Sequence, residues 1–490
     1  MKRLSTIQLW SVPAILLANL PGLKQVLASA PLRSDTDTVA MLDAMRDTGG
    51  LQGWWQWFTG DWFLHNGFYR PVTCLSLLLD YSLYGEAGWG YRLTNWLLAV
   101  LTALGVYALL PRFLRRWFGQ VLRDDRHIHL VSLAGAIVLS LQQTNYLHGV
   151  RHVSAWLLVA GWLVWQNRQL RAEGWKELLR AHWWRVWLGA GAFFWGWDRL
   201  VFSNFERLMV WVPSRTALLS TCLAVWGLSS LVRWGDTGRF GYLLGAILLY
   251  AGACGAYEQP LGLVLMALVL AIAMRREWSW KGWLAFGAVA VVAVGVVALR
   301  FALLPTTLTG YQQQQLRSAP YLGLLHLMET VLPGVASAQY WALVGLDPYL
   351  FFFRSAWDRL IADLALAGVL VALVRCWRWF GWWLAWHLIT YLPMSLLHPF
   401  EHYQYLPQVG QNAIDLALMA WGAFTLQQVT HAAREGEVVG KRPNLTPHPP
   451  SRRGKGESET SPRLGERQGE GSGEACDGVS AEDLGTRQDF

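Results

Sequence analysis

The chain of 490 residues contains 53% hydrophobic residues and only 15% charged residues, and its formal net charge is +8 at pH 7. Soluble globular proteins are normally about 25% charged, so this composition excludes an ordinary soluble domain and favours a polytopic membrane protein. Five cysteines without CxxC spacing argue against a disulfide scaffold and a cysteine zinc site. No repeat of a fixed period is visible, which argues against a solenoid.

Apolar runs that approach the length needed to cross a bilayer recur through the first 433 residues. A membrane-spanning helix needs about 20 apolar residues, and the sequence predicts about twelve of them. The predicted spans are 7–28, 89–110, 128–143, 152–166, 185–201, 212–232, 240–257, 259–274, 282–304, 357–375, 379–394 and 406–427. A further apolar run, from Pro71 to Leu83, is short and carries Asp80. We therefore predict a helix that lies at the membrane interface or re-enters the membrane there.

The basic residues between these spans predict the topology. Arginine and lysine concentrate in the loops 111–127 and 167–184 and in the turns that follow the spans ending near 232, 274 and 375. With the predicted spans, all of these segments fall on one side, together with Lys2 and Arg3. The positive-inside rule makes that side cytoplasmic, so both termini are expected inside the cell, in the inner (plasma) membrane. The large outer segments are then 32–70 and 305–356.

The last part of the chain differs in composition from the rest. Residues 434–490 are rich in Gly, Ser, Pro and Glu and contain neither Trp nor Tyr. Such a composition cannot bury enough apolar surface to fold. The sequence therefore predicts a membrane domain at 1–433 and a disordered cytoplasmic tail at 434–490.

Six short segments that contain charged residues lie on the outer side or beside it. They are Ser34–Met41, Phe68–Val72, Gly90–Asn95, Glu206–Thr216, Tyr257–Pro260 and Glu401–Gly410. Charged residues are few on this side, and a charge near apolar spans is costly unless it is paired or functional. Each charged residue on this side is therefore informative about function.

In order and spacing, these segments resemble the motifs in the membrane part of the GT-C glycosyltransferases. The nearest branch is that of the transmembrane, tetratricopeptide-repeat O-mannosyltransferases and their bacterial relatives, and the resemblance covers about residues 7–427. The chain departs from the family pattern where Thr36 separates the acidic pair, where Tyr257 replaces a lysine and where His402 replaces an arginine. The tetratricopeptide repeats themselves are missing from this sequence.

This resemblance implies an all-α, GT-C-like membrane domain with an outer layer of loops and helices. It also implies an enzyme that moves a sugar from a polyprenyl-phosphate-linked donor to an acceptor hydroxyl at the outer membrane face. The implied partners are the lipid-linked donor, membrane lipid and a glycan or protein acceptor, and no nucleic acid is expected. The sequence predicts no specific cofactor. Whether the reaction needs a divalent cation is left open.

Three groups of residues could perform this chemistry. A carboxylate must accept the proton of the acceptor hydroxyl, and the register of the motif selects Asp37 for this role, with Asp35 as its helper. Cations must hold the leaving phosphate, and arginine suits phosphate because its planar fork contacts two oxygens at once. The predicted phosphate ligands are Arg215, Arg70 and Arg207, and the predicted lining residues are Glu206, Glu258, Glu401, His402 and Tyr403.

Each of these assignments has a plainer alternative. Asp35 and Asp37 could cap a helix that begins near Val39, since aspartate is a preferred N-cap residue. Any single arginine near a span end could snorkel to the interface. Glu258 and the segment from Glu401 could form hydrated turns with aromatic anchors. The histidines on the outer side share no regular ligand spacing, so no metal is assigned to them.

Two other functions compete with the enzyme. A transporter or flippase of a lipid-linked substrate would place charges near the membrane midplane, in broken helices. Alternatively, the protein could be a catalytically inactive GT-C-like membrane scaffold. The departures from the family motifs are compatible with this alternative. If the protein is an enzyme, Asp37, Arg215, Glu258 and Glu401 should converge on one outward-facing cavity.

Overall fold

A computed structural model of the chain describes residues 6–28, 35–118, 125–144, 183–186, 188–193, 196–197, 205–313, 374, 377–395 and 401–440. The predicted span 152–166, nearly all of 357–375, part of 185–201, the outer segment from 314 onward and the tail from 441 lie outside the described residues. The chain divides into two units, Met1–Val439 and Gly440–Phe490. The first unit contains every element considered below, except for Gly440, the last residue of the last helix.

Every regular element in the described part of the chain is a helix. The α-helices are α1 (Thr6–Ala28), α2 (Thr36–Asp47), α3 (Trp54–Thr59), α4 (Pro71–Tyr84), α5 (Gly88–Phe118), α6 (Asp125–Gln143), α7 (Glu206–Val210), α8 (Arg215–Thr237), α9 (Phe240–Ala256), α10 (Leu263–Ala273), α11 (Arg275–Trp278), α12 (Trp280–Leu303), α13 (Trp377–Tyr391) and α14 (Tyr405–Gly440). Short 3₁₀ turns cover Gly50–Gly53, Val212–Ser214, Gln259–Gly262, Leu392–Met394 and Glu401–Gln404. The all-α prediction is confirmed for the described residues.

Each predicted span in the described ranges coincides with a helix or with most of one. Within the described ranges, four helical stretches are long and apolar enough to cross a membrane: Ile7–Ala28, Gly88–Arg115, Val212–Thr237 and Trp280–Leu303. Two shorter apolar helical stretches, Phe240–Ala256 and Gln259–Ala273, lie among them. The apolar run from Pro71 also forms the helix expected there, α4. These helices indicate a membrane protein, whereas the total of twelve spans stays a prediction.

The exposed face of α12 has the character of a lipid-facing surface. Val291, Val294 and Phe301 are 73%, 69% and 58% exposed. Contiguous apolar surface of this kind is unfavourable in water and is the normal state of a helix that contacts lipid tails. The opposite face of α12 packs Ala285 and Val289 into the largest hydrophobic core.

Three of the basic segments, those near Arg112, Arg233 and Lys281, lie at one end of α8. Arg112, at the end of α5, lies close enough to Arg233 to interact with it electrostatically. The indole nitrogen of Trp234 donates to the carbonyl of Lys281 (3.4 Å). At 1.5 Å per residue, α8 is roughly 35 Å long, so Arg215 at its other end lies a bilayer thickness away. We call that far end the distal end.

The two segments predicted to lie outside the cell contact each other at the distal end. The Thr309 hydroxyl donates to the carbonyl of Asn66 (3.0 Å), and the Gln312 amide donates to the carbonyl of Gly67 (3.1 Å). Arg300, in the last turn of α12, also donates to the Gly67 carbonyl (3.3 Å). The described beginning of the 305–356 segment therefore lies on the same side as the 32–70 segment, as the alternation of spans requires.

Labelling of single cysteines tests this topology. In a background without native cysteines, a membrane-impermeant maleimide added to intact cells should label Leu308→Cys, because this side chain is exposed at the distal end. The same reagent should fail to label Arg239→Cys until the membrane is permeabilised, because the positive-inside rule places the basic loops in the cytoplasm. The reverse pattern would invert the proposed orientation.

A glycine in α8 provides a test of the helix packing. A Cβ atom at Gly235 would overlap the ring of Trp278, which is buried, whereas a Cβ at Gly287 in α12 would meet no atom within 4 Å. Overpacking typically costs about 1–3 kcal/mol. Gly235→Ala should therefore lower the thermal midpoint of the detergent-solubilised protein, and Gly287→Ala should leave it unchanged. Equal midpoints for the two variants would contradict the packing of α8 against α11.

The last described helix passes the predicted domain boundary. The sequence predicts the tail from residue 434, but α14 continues to Gly440. Residues 434–440 contain no proline and carry Glu and Val, so they can extend a helix that is already nucleated. The predicted disorder of the remaining tail falls outside the described residues.

Candidate functional site

A cavity of about 140 Å³ opens at the distal end of the helices. Its walls come from the first turn of α2, the loop before α4, the α7–α8 connection, the α9–α10 connection and the turn before α14, together with a residue that follows α12. Five of the predicted site residues line it: Asp37, Arg70, Arg207, His402 and Tyr403. The elements that form the cavity are mostly helix ends and their connections rather than helix middles.

Asp37 presents its carboxylate to the cavity from the first turn of α2. The side chain is half-buried, and its pKa is raised by desolvation first and by the nearby charge of Asp35 second, while Arg207 opposes this increase. A raised pKa makes a carboxylate a stronger base in its ionised form. Asp37 therefore places a carboxylate with a raised pKa at the cavity.

Asp35 occupies a different position and caps the helix. It is the N-cap residue of α2, and its Oδ2 accepts from the backbone amide (3.0 Å) and the hydroxyl (2.5 Å) of Thr38. The same oxygen accepts the indole N–H of Trp211 (3.0 Å). The capping alternative thus describes Asp35, and Asp35 is not among the residues that line the cavity.

Arg207 places a positively charged guanidinium at the cavity wall. Its side chain is exposed, and its guanidinium lies 4.8 Å from the centre of the Trp211 ring. Among the described residues, no carboxylate lies within ion-pair distance of it. The planar fork of a guanidinium suits an anion such as a phosphate.

Arg70 also lines the cavity, but its guanidinium forms an ion pair with the Glu258 carboxylate. The Glu258 carboxylate accepts from Arg70 Nε (3.1 Å) and Nη2 (2.9 Å). The rings of Trp62, Phe68 and Tyr257 surround the guanidinium carbon at 4.7, 4.3 and 4.6 Å. Burial lowers the pKa of Arg70, but the attraction of Glu258 and of the nearby tyrosines outweighs it and the pKa is raised. Arg70 is therefore a positive charge held in one position by Glu258, which does not itself line the cavity.

His402 and Tyr403 form the wall that precedes α14. Burial lowers the pKa of His402 to about 3, with a further contribution from Arg70 and Arg207, so the imidazole is neutral at physiological pH. Its ring lies 5.4 Å from that of Trp211 and 4.6 Å from that of Tyr403. The Tyr403 carbonyl accepts from Gln259 Nε2 (2.6 Å), which ties this turn to the α9–α10 connection.

Arg215, predicted as a phosphate ligand, lies in the protein interior and does not line the cavity. It is fully buried and pairs with Asp80 of α4 (Nη2 to Oδ2, 2.6 Å), while Ser76 and Asn95 accept two further hydrogen bonds. A guanidinium engaged in this way has little capacity left for a ligand. The predicted convergence of Arg215 on the cavity is therefore not seen. The side chains of Glu206 and Glu401 lie outside the described residues.

Trp211 and Tyr311 are among the cavity residues that were not predicted from the sequence. Trp211 lies in the Glu206–Thr216 segment, and Tyr311 lies in the segment after α12. The Tyr311 hydroxyl interacts electrostatically with Arg70 and Asp37, and burial raises its pKa. In a chain with 31 tryptophans, an aromatic residue near a span end gives no individual signal, because interfacial anchoring explains it.

Comparisons of the chain with protein families, with curated proteins and with solved structures find no match. The resemblance to the GT-C glycosyltransferases therefore stays a prediction based on the motifs. Within the described residues, no group of three or more His, Cys, Asp or Glu side chains could hold a metal ion. The functional conclusion depends on the geometry of the cavity.

Proposed function

We propose that this protein is a GT-C-type membrane glycosyltransferase that transfers a sugar from a polyprenyl-phosphate-linked donor to an acceptor hydroxyl. The reaction would take place at the outer face of the inner membrane, with both termini in the cytoplasm. The observation that carries the proposal is the cavity at the distal end, where the Asp37 carboxylate and the Arg207 guanidinium interact electrostatically. The six motif segments support the same assignment.

Each group has a defined task in the proposed reaction. The acceptor oxygen attacks the anomeric carbon of the donor sugar, and Asp37 accepts the proton from that hydroxyl. The bond between the anomeric carbon and the phosphate oxygen breaks, and the polyprenyl phosphate leaves with the electron pair. Arg207 stabilises the negative charge that develops on this leaving group, while Arg70 adds a fixed positive charge to the wall.

The position of the cavity favours the enzyme over the transporter. A transporter of a lipid-linked substrate places its polar site near the midplane, where broken helices meet. Here the lining residues belong mainly to helix ends and connecting turns at the distal end. A site at a membrane face gives a lipid phosphate and an aqueous acceptor simultaneous access.

The decisive experiment is a transfer assay. The protein in nanodiscs is incubated with synthetic short-chain polyprenyl-phosphate sugars, first in a screen of donor sugars and with simple hydroxyl acceptors. Release of the polyprenyl phosphate together with a glycosylated acceptor is expected. Movement of the intact donor across proteoliposomes without cleavage would instead identify the transporter, and binding without either process would identify the inactive scaffold.

Arg207 gives a specific prediction for donor binding. Arg207→Lys retains the charge but loses the two-pronged contact with phosphate oxygens, so the affinity for the donor should fall by about tenfold, the equivalent of 1.4 kcal/mol. The thermal midpoint should not change, because the side chain is exposed. Titration of a non-hydrolysable polyprenyl-phosphate sugar measures the affinity, and Arg239→Lys at the opposite end is the matched control. An unchanged affinity would remove Arg207 from the site.

A further inference from the structure

We propose that Trp211 is a positioning residue that holds Arg207 in the cavity opposite Asp37, and that Asp35 acts through Trp211. This inference deepens the proposed function and rests on it. It assigns a role to Trp211, for which the sequence motifs predict none. It also replaces the role of Asp35 as a helper in catalysis with a structural connection between two walls of the cavity.

Trp211 has contacts at three sides of its indole ring. The ring nitrogen donates to Asp35 Oδ2 (3.0 Å), which joins the α7–α8 connection to the start of α2. One face lies 4.8 Å from the guanidinium carbon of Arg207, and the ring of His402 lies 5.4 Å away. A single ring thus contacts the cap of the helix that carries Asp37 and the cation that faces it.

The backbone around Trp211 is equally fixed. Its amide donates to the carbonyl of Arg207 (2.9 Å), and its carbonyl accepts from Asn95 Nδ2 (3.3 Å) and from the Ser214 hydroxyl (2.6 Å). The backbone of Trp211 is therefore ordered, and its indole nitrogen is held by the hydrogen bond to Asp35.

This arrangement lowers the conformational entropy that Arg207 loses when it binds a ligand. A long, exposed arginine loses rotamer freedom when a ligand fixes it, and that loss weakens binding. A guanidinium that already rests on an anchored aromatic face has lost part of this freedom in advance. Asp35 anchors that face through its hydrogen bond to the indole nitrogen. Asp35 and Trp211 thereby preorganise Arg207 for an anion.

Two variants separate this role from the general structure. Trp211→Phe keeps an aromatic face but removes the N–H that binds Asp35. Asp35→Ser keeps a good N-cap for α2 but is too short to serve both Thr38 and Trp211. Trp226→Phe is the matched control, because it removes an indole hydrogen bond from α8 to the Leu101 carbonyl of α5 (3.0 Å), and neither residue lines the cavity.

The first measurement is the binding of farnesyl phosphate to the protein in nanodiscs. Trp211→Phe and Asp35→Ser should each weaken binding by about 5–10-fold, the effect of losing roughly one net hydrogen bond. Trp226→Phe should bind like the wild type. In an Arg207→Gln background, Trp211→Phe should cause no further loss, since its effect passes through Arg207. Asp35→Ser carries the test on its own if Trp211→Phe does not fold.

The second measurement is the pH dependence of transfer, which a purely structural residue would not change. The groups around Asp37 are Asp35, Arg207, Tyr311, Arg70, Tyr257, His402 and Tyr403. Arg207 lowers the pKa of Asp37, so displacing Arg207 through Trp211→Phe should move the acidic limb of the profile to higher pH. Arg207→Gln should move the limb in the same direction.

The outcomes distinguish the inference from the proposed function. If the wild type binds farnesyl phosphate and both variants bind it equally well, the role of Trp211 is wrong and the glycosyltransferase stands. Additive losses in the Arg207→Gln background would also overturn the positioning role. If the wild type binds no farnesyl phosphate, the proposed function itself is wrong.

Discussion

Replacing Asp37 with asparagine is expected to lower the rate of sugar transfer by about 10²–10⁴-fold, the usual contribution of a general base. The amide keeps the size of the carboxylate and a hydrogen-bonding oxygen, but it cannot take the proton of the acceptor hydroxyl. Donor binding should stay close to that of the wild type, because the phosphate contacts belong to arginine. The measurement compares turnover with donor affinity in the same nanodisc preparation.

The same helix supplies the control for this variant. Asp47→Asn makes the identical chemical change at the exposed end of α2 and should leave transfer unchanged. Asp35→Asn should cost less than Asp37→Asn, since Asp35 is a cap and an anchor rather than a group in the cavity. Full activity of Asp37→Asn would refute its role as the base.

The pH profile provides an independent check of Asp37. The base must be ionised to act, so activity falls as the pH drops through its pKa. Desolvation and Asp35 raise that pKa above the usual 3.8, so the acidic limb should lie at higher pH than for an exposed aspartate. Loss of this limb in a partly active Asp37 variant would assign it to this residue.

The sequence predicts the helices well because the signal is local. An apolar run of near-spanning length has few alternatives to a helix in a membrane, and the runs from 212, 240 and 282 each form one. The run from Pro71 also forms the expected short helix. Boundaries are harder to predict, as α14 shows, because nothing in residues 434–440 stops a helix that is already formed.

The residue types of the site are predictable, but their pairing is not. Arg70 and Glu258 were both selected from the sequence, yet 188 positions separate them and no local pattern indicates that they bind each other. Asp80 and Arg215 form a second pair across 135 positions. A charge near apolar spans is costly without a partner or a function, so each of these charges needs a reason. The reason is a distant partner, which only the folded chain supplies.

Arg215 and Asp80 lead to the second prediction, which concerns stability. Removing one member of a buried ion pair typically costs about 3–5 kcal/mol, because the other charge is left without a partner. Arg215→Met and Asp80→Asn should therefore each strongly lower the thermal midpoint and the yield of folded protein. Size-exclusion analysis of the heated, detergent-solubilised protein measures this. Arg207→Lys, at an exposed cavity residue, should keep the midpoint of the wild type.

A double variant separates a structural pair from a ligand site. Replacing both members of a buried pair with apolar residues of similar size is often neutral for stability, so Arg215→Met combined with Asp80→Leu should recover much of the midpoint lost by either change. The polar partners Ser76 and Asn95 would then lack their donor, so recovery should be incomplete. Because Arg215 lies behind the cavity wall, the double variant should also keep measurable affinity for a polyprenyl phosphate. If Arg215→Met instead keeps the wild-type midpoint and loses only this affinity, Arg215 is a phosphate ligand, and the buried pair does not describe its function.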